Sequence, residues 1–359
     1  MGSSARDVRA TAIGLASLIL YVVFVLSTRR VDPVALADLF DTYLVSALSL
    51  TVLFALILSC AHHLRRRRSD AGATPLATLA HLLRARWSRD RLATLIWPPL
   101  MFAGLMSSFN AFKQQILIEA GFRFDPALTM LDRALFLGND PWRVTHAIFS
   151  APWATVLLDR AYHLWFVPMS LGVIMCALLG EKSYRLRTQY LLTYMAVWIG
   201  IGTVLAWFFP SAGPCFYNAY VGPQASFAEL MRQLESVRAL YGPDALGSHM
   251  SQEHLRHAFG NPQLVVGGGI SAMPSVHNGL SALFAIAGFS VNKRLGWALS
   301  AYAIVIWIAS IHLGWHYAVD GLVSVALTCA IWKLMGRLAD RLERPLLRKR
   351  RPGLTPAAV

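Results

Sequence analysis

Long apolar runs, separated by short polar or charged stretches, recur from one end of the chain to the other. Runs at about 10–28, 42–62, 92–112, 153–180, 188–209, 275–291, 296–313 and 316–336 approach or exceed the ~20 residues an α-helix needs to cross a bilayer core of ~30 Å. The pattern predicts an all-α, polytopic membrane helix bundle with about eight transmembrane helices. The run from 275 is short and rests partly on the polar motif at its start. Two stretches are too polar to span. Residues 114–152 mix Asp125, Asp132, Arg133, Asp140, Pro141 and Trp142 with apolar residues, which predicts interfacial helices on the outer surface. Residues 210–270 form the longest connection. Within it Ser226 and Glu229 have capping-box spacing, and Phe227, Leu230, Met231, Leu234 and Val237 recur at helical intervals. Such a helix either covers a site as a lid or rests its apolar face on lipid.

Composition agrees. Of 359 residues 56% are hydrophobic and 14% charged, with a mean hydropathy of +0.48, too little charge for a soluble domain of this length. The formal charge of +14 does not point to nucleic acid, because the basic residues flank apolar spans. With both termini cytoplasmic, most of the 33 Lys and Arg fall on the cytoplasmic side, including Arg6, Arg9, the run Arg65 to Arg68 and the tail from Arg337. The basic loop 63–91 and that tail read as contacts with anionic lipid. Ala- and Arg-rich usage suggests a bacterial inner or plasma membrane. The first apolar run ends in Ser27, Thr28, Arg29 and Arg30 without a small-residue cleavage site, so it reads as a retained helix. Three of the four cysteines, Cys60, Cys176 and Cys329, fall in apolar spans and only Cys215 in a loop. This implies no disulfide framework, and no C-x-x-C pair suggests zinc. His62, His63 and His81 sit among arginines and read as solvated or headgroup-facing. The chain divides into a two-helix region with a basic loop (1–91), a main membrane domain (92–336) and a basic tail (337–359).

Chemistry concentrates in two short motifs, SAMPSVHNG (271–279) and HLGWHYAVDG (312–321), each where a span begins. They put His277, His316 and Asp320 at the mouth of the bundle, at the extracytoplasmic ends of their helices. Ionisable groups next to lipid are costly and usually face an interior site. His316 and Asp320, four apart, are expected on one face of one helix, where the carboxylate fixes the imidazole tautomer and leaves the other nitrogen a better base or nucleophile. A second histidine can then move the proton. In the first motif Pro274 suits the opening turn of a helix. Its free amides and dipole, with the Ser275 hydroxyl, would suit a phosphate. Gly267, Gly268 and Gly269 permit close approach, and no G-x-x-x-x-G-K-[ST] loop is present.

These motifs resemble the second and third motifs of the type-2 phosphatidic acid phosphatase superfamily. The M-P-S-x-H wording, the H-Y-x-x-D ending and FFPSAGPCFY (208–217) resemble its inositolphosphotransferase branch, which includes inositol phosphorylceramide synthase. The similarity covers about residues 95 to 335. It implies a six-helix core and a metal-free, cofactor-free site. In it His316 attacks phosphorus to give a phosphohistidine, Asp320 orients it, and His277 moves the proton. The implied substrate is a membrane phospholipid or lipid phosphate. With an acceptor alcohol the enzyme would be a phosphotransferase, with water a lipid phosphate phosphatase. Two features depart from the phosphatase pattern. A Lys and Arg seven apart followed by Pro are not found near Lys113 or Arg123, and Ser310 stands six before His316 where an Arg is usual. Candidates to hold the phosphoryl oxygens instead are His312, Ser275, Lys113 and Arg160. Asp159 and His163 form either a headgroup patch or a helix-end ion pair. Trp153, Trp165, Trp207 and Trp315 read as interface or packing residues. A non-catalytic lipid transporter or scaffold would survive loss of His316, and a channel would carry its ionisable groups at mid-span.

Overall fold

The computed structural model describes residues 3–28, 30–66, 89–178 and 183–343, and every regular element among them is helical. Most of the basic loop 63–91, with Arg67, Arg68 and His81, lies outside the described residues, as does the tail beyond 343. Helices α1 (Ser3–Ser27), α2 (Pro33–Arg66) and α3 (Arg89–Ala111) are followed by a π-helical turn, Phe112–Ile116, and a 3₁₀ turn, Leu117–Ala120. Next come α4 (Asp125–Leu135), α5 (Pro141–Ile148), α6 (Pro152–Leu164), α7 (Phe166–Leu178) and α8 (Tyr184–Ala196), the last running into a π-helical stretch, Val197–Leu205. Helices α9 (Pro214–Tyr220), α10 (Ala225–Tyr241) and α11 (Gly247–Ala258) make up the long connection. Helices α12 (Val276–Val291), α13 (Lys293–His312) and α14 (Ala318–Glu343) complete the bundle.

Six segments are long and apolar enough to cross a bilayer: Val8–Ser27, Pro33–Ala61, Leu95–Ala120, Tyr184–Phe208, Lys293–His312 and Ala318–Glu343. The chain is an integral membrane protein built as a polytopic helical bundle. The other two apolar runs are helical but shorter. One is α12. The other, 153–180, is broken at Trp165 into α6 and α7. Pro168 accounts for the break, because it has no N–H for the Leu164 carbonyl and its ring crowds that position. The α3 span is the central one, 78% buried, while that of α2 is 12% buried. Helix α12 packs against α13 and α14, α14 against α8, and α13 against α6.

The long connection folds over one end of this bundle. The apolar face of α10 (Phe227, Leu230, Leu234, Val237) is buried, and α10 packs on α6 and α9. Of the two sequence readings of this helix, the structure has its apolar face against protein. Helix α4 is inverted. Asp125, Leu128, Thr129 and Asp132 form its buried face, while Met130, Leu131 and Leu135 point outward. A helix buries acids and exposes leucines only where the protein side supplies polar partners and the other side is apolar, as lipid is.

Candidate functional site

His316 lies in the turn between α13 and α14, not on a helix as the four-residue spacing suggested. The geometry that joins it to Asp320 is a helix cap. Asp320 sits in the first turn of α14, and its Oδ2 accepts the Tyr317 N–H at 3.1 Å, as an acid at the third helical position does for its cap residue. The same oxygen is 3.3 Å from His316 Nδ1. A closer partner of Nδ1 is the Ala272 carbonyl, at 2.9 Å. Both acceptors call for a proton on Nδ1, which leaves the Nε2 lone pair free. Nε2 has no hydrogen-bond partner among the described residues.

His277 is the second residue of α12, and its ring centroid lies 5.9 Å from that of His316. It rests between Tyr162, near-parallel at 4.8 Å, and Trp165 at 4.1 Å, whose indole N–H donates to the His277 carbonyl at 3.1 Å. The break at Trp165 therefore has a use, since it turns this indole under the histidine. Ser275 caps α12. Its hydroxyl accepts from the amide (3.3 Å) and side-chain nitrogen (3.0 Å) of Asn278, and it is fully buried.

Lys113 projects from the π-helical turn and interacts electrostatically with both His277 and His316. Its side-chain amine forms no hydrogen bond or ion pair with any described residue. Its backbone is fixed from both sides. Gln114 Nε2 donates to the Gln263 carbonyl (2.7 Å), and Gln114 Oε1 accepts from Val265 N–H (2.9 Å). Gly269, with φ of 92°, lies against Lys113 so closely that a Cβ would fall 2.6 Å from the Lys113 carbonyl carbon. The glycine run thus brings the loop onto the lysine-bearing turn.

The other two candidates are elsewhere. His312 is buried, with Nε2 2.9 Å from Thr155 Oγ1 and its ring stacked on His146 at 3.9 Å. None of its bonds or ring contacts is with His277, His316 or Asp320. Arg160 is exposed and donates to the carbonyls of Asp244 and Ala245 at 3.3 and 3.4 Å, where it ties down the end of the α10–α11 loop.

Three buried aspartates unite the site, and sequence reasoning gave none of them this part. Each accepts two consecutive backbone amides, one per oxygen. Asp125 takes Ala212 and Gly213 (both 2.8 Å), Asp132 takes Ala318 (2.8 Å) and Val319 (2.9 Å), and Asp159 takes Gly247 and Ser248 (both 2.8 Å). The Asp132 and Asp159 pairs are the unpaired N–H groups at the starts of α14 and α11, where a carboxylate also meets the positive end of the helix dipole, and the Asp125 pair lies just before α9. Burial pushes the Asp125 carboxyl above its ordinary range against these bonds, and pushes Asp132 up to about 7. Asp140 is different. Burial opposes its charge, but Arg133 and the Ser226 hydroxyl hold it below the usual carboxylate range. Asp159 also contacts His163 Nδ1 at 3.6 Å, so the pair serves to anchor α11.

The segment FFPSAGPCFY is the hub. The Ser211 carbonyl accepts from Ala272 N–H (2.9 Å), the Ser211 hydroxyl accepts from Met273 N–H (2.8 Å), and Cys215 N–H donates to the Gly314 carbonyl (2.8 Å). It joins the strap that carries Ala272 to the turn that carries His316. From above, α11 grips the same turn through Gln252 Nε2 on the Leu313 carbonyl (3.3 Å) and Ser248 Oγ beneath the Trp315 indole (3.1 Å). A small cavity bounded by Thr129, Asp132, Trp142, Phe227 and Tyr317 opens onto His316.

Fold and site together define a polytopic helical membrane protein with a buried His–Asp pair and a facing histidine beneath a helical cover. The PAP2 superfamily model matches residues 126–334, more than half of the chain, and the protein belongs to that superfamily. Its members are phosphatases and phosphotransferases that act on lipid phosphates. Neither the curated proteins nor the solved structures include a significant match to this chain.

Proposed function

We propose that the protein is a membrane phosphotransferase. It moves a phosphoryl or phospho-headgroup from a lipid phosphoester to an acceptor alcohol through a phosphohistidine at His316. The observation that carries this is the pinning of His316 Nδ1 by Ala272 and Asp320, which presents the Nε2 lone pair beside His277. Nε2 forms a bond to phosphorus while the bond to the leaving oxygen breaks, and protonated His277 gives that oxygen its proton. In the second half His277 takes the proton of the incoming hydroxyl, the new P–O bond forms, and the N–P bond breaks. Lys113 and the free first amides of α12 hold the non-bridging oxygens, in place of the cations absent from this sequence.

The covered site supports the alcohol as acceptor. Leu230 of α10 is buried against Gly314 of the turn and α11 bonds to Leu313 and Trp315, and excluding water is what a transferase must do for an alcohol to compete. The likeness of MPSVH, HYAVD and FFPSAGPCFY to the inositolphosphotransferase branch points the same way, without naming the acceptor. The excess of Lys and Arg in the loops assigned to the cytoplasm argues for cytoplasmic termini and a site on the extracytoplasmic leaflet.

The test uses purified protein and His316→Ala with a panel of ³²P-labelled phospholipids and lipid phosphates, each with and without polyol or glycolipid acceptors. Acid-labile label on the wild-type chain only, with a phosphodiester product that requires acceptor, is the expected result. Free phosphate without acceptor would make the enzyme a phosphatase. Equal turnover by His316→Ala would remove His316 from the mechanism.

A further inference from the structure

The residues that follow His316 are held by one face of one distant helix. Asp125 and Asp132 are seven apart on α4, two turns, and so lie on the same side. Asp132 takes the amides of Ala318 and Val319. Asp125 takes the Tyr317 hydroxyl at 2.7 Å. The three residues immediately after the nucleophile are therefore all bound to α4. The amide accounts of the first turn of α14 close completely, since Tyr317 N–H goes to Asp320 Oδ2, Ala318 and Val319 to Asp132, and Asp320 N–H to the Tyr317 carbonyl at 3.2 Å. Asp125 also holds Ala212 and Gly213, and the adjacent Ser211 binds the strap whose Ala272 carbonyl receives His316 Nδ1. One helix thus sets both the backbone that carries the imidazole and, through one intervening residue, the acceptor that orients it.

We propose that Asp125 and Asp132 are positioning residues for His316, with α4 acting as a splint that fixes the direction of its Nε2. Neither carboxylate is hydrogen-bonded to His316, so the action passes through the backbone. A general packing role would be served by leucine at these buried positions. Asp132 spends both oxygens on residues just after His316, and Asp125 joins the Tyr317 hydroxyl to the Ala212–Gly213 segment, an arrangement better explained by orientation, because reacting groups must be held to a fraction of an ångström. The catalytic meaning rests on the reading of His316 as nucleophile, whereas the grip itself does not.

The experiment is ¹⁵N NMR of the full chain in lipid nanodiscs with ring-labelled histidine, the His316 signals being assigned by their loss in His316→Gln. Wild type is expected to show a single Nδ1–H tautomer at His316. Asp132→Ala and Asp125→Ala should shift or split those signals, Asp132→Asn should do so less because one acceptor oxygen remains, and Asp340→Ala, at the far end of α14, should leave them in place. On short-chain phosphatidic acid as probe substrate, kcat should fall about 10²-fold in the alanine variants with KM within about twofold. His316 signals that superimpose on wild type in both alanine variants would overturn the proposal. If those variants do not fold, an unchanged Asp132→Asn spectrum does the same. A shifted spectrum in a protein that never forms phosphohistidine would leave the splint standing and remove only the nucleophile.

Discussion

Gly213 is the position where one methyl group should do the most damage. It precedes α9 with φ of 91° and ψ of 164°, a region essentially closed to residues with a side chain, so alanine there costs about 1–3 kcal/mol before any contact is considered. A Cβ would also lie 2.6 Å from the Trp315 carbonyl oxygen and 3.1 Å from Ala272 Cβ. The first distance is short of ordinary van der Waals contact by about 0.8 Å. The two neighbours are the residue before His316 and the residue whose carbonyl orients it, so the wedge acts where the imidazole is set. Overpacking of this kind adds about 1–3 kcal/mol, for a total of about 2–6 kcal/mol if nothing relaxes. A displacement of order 1 Å at the turn should lower kcat about 10²-fold, or about 2.7 kcal/mol in the barrier. The assay is turnover of the lipid substrate alongside denaturant unfolding in micelles, with Gly200→Ala, where a Cβ meets nothing within 4 Å, as the neutral control. Gly213→Ala with activity within twofold of wild type and unfolding within about 0.5 kcal/mol would refute the reasoning.

Other expectations follow from the same contacts. Lys113→Met should lower kcat about 10²–10³-fold with little loss of stability, as removal of one charge-stabilising donor does, and Lys113→Arg should recover part of it; wild-type rates for Lys113→Met would remove the lysine from the site. Asp132, near 7 folded against an ordinary 3.8, is protonated more readily in the fold. Its contribution is therefore present below about pH 4 and is lost as pH rises to about 7, so wild-type stability should fall relative to Asp132→Asn between about pH 4 and 7; parallel pH profiles across that window would contradict this. Arg143→Ala breaks a solvent-screened pair with Glu229 and should leave stability close to wild type. Asp140→Ala strands Arg133 and the Ser226 hydroxyl and should cost about 1–3 kcal/mol, so equal losses in denaturant titrations would be the wrong result.

The sequence by itself determined the class of fold. Apolar runs of spanning length can satisfy their backbone in lipid only as helices, so hydropathy alone specifies a polytopic bundle. It also placed His277, His316 and Asp320 together, because ionisable residues at the mouths of apolar helices have few places to go. The break at Trp165 was within reach too, since Pro168 marks it. What the sequence could not show was who holds the imidazole. The closer partner of His316 Nδ1 is a backbone carbonyl, at Ala272, and every residue type carries one. Asp125 and Asp132 read as marks of a polar surface helix, although their spacing of seven with Leu128 and Thr129 between them already described one face. Only the tertiary structure turned that face inward, onto the amides just before α9 and the unpaired first amides of α14. Free amides exist wherever a helix begins, and which carboxylate reaches those of α14 depends on how the chain crosses itself over 186 and 187 residues. Periodicity reports the solvent around each segment, whereas the geometry of His316 is set by contacts that have no local signature.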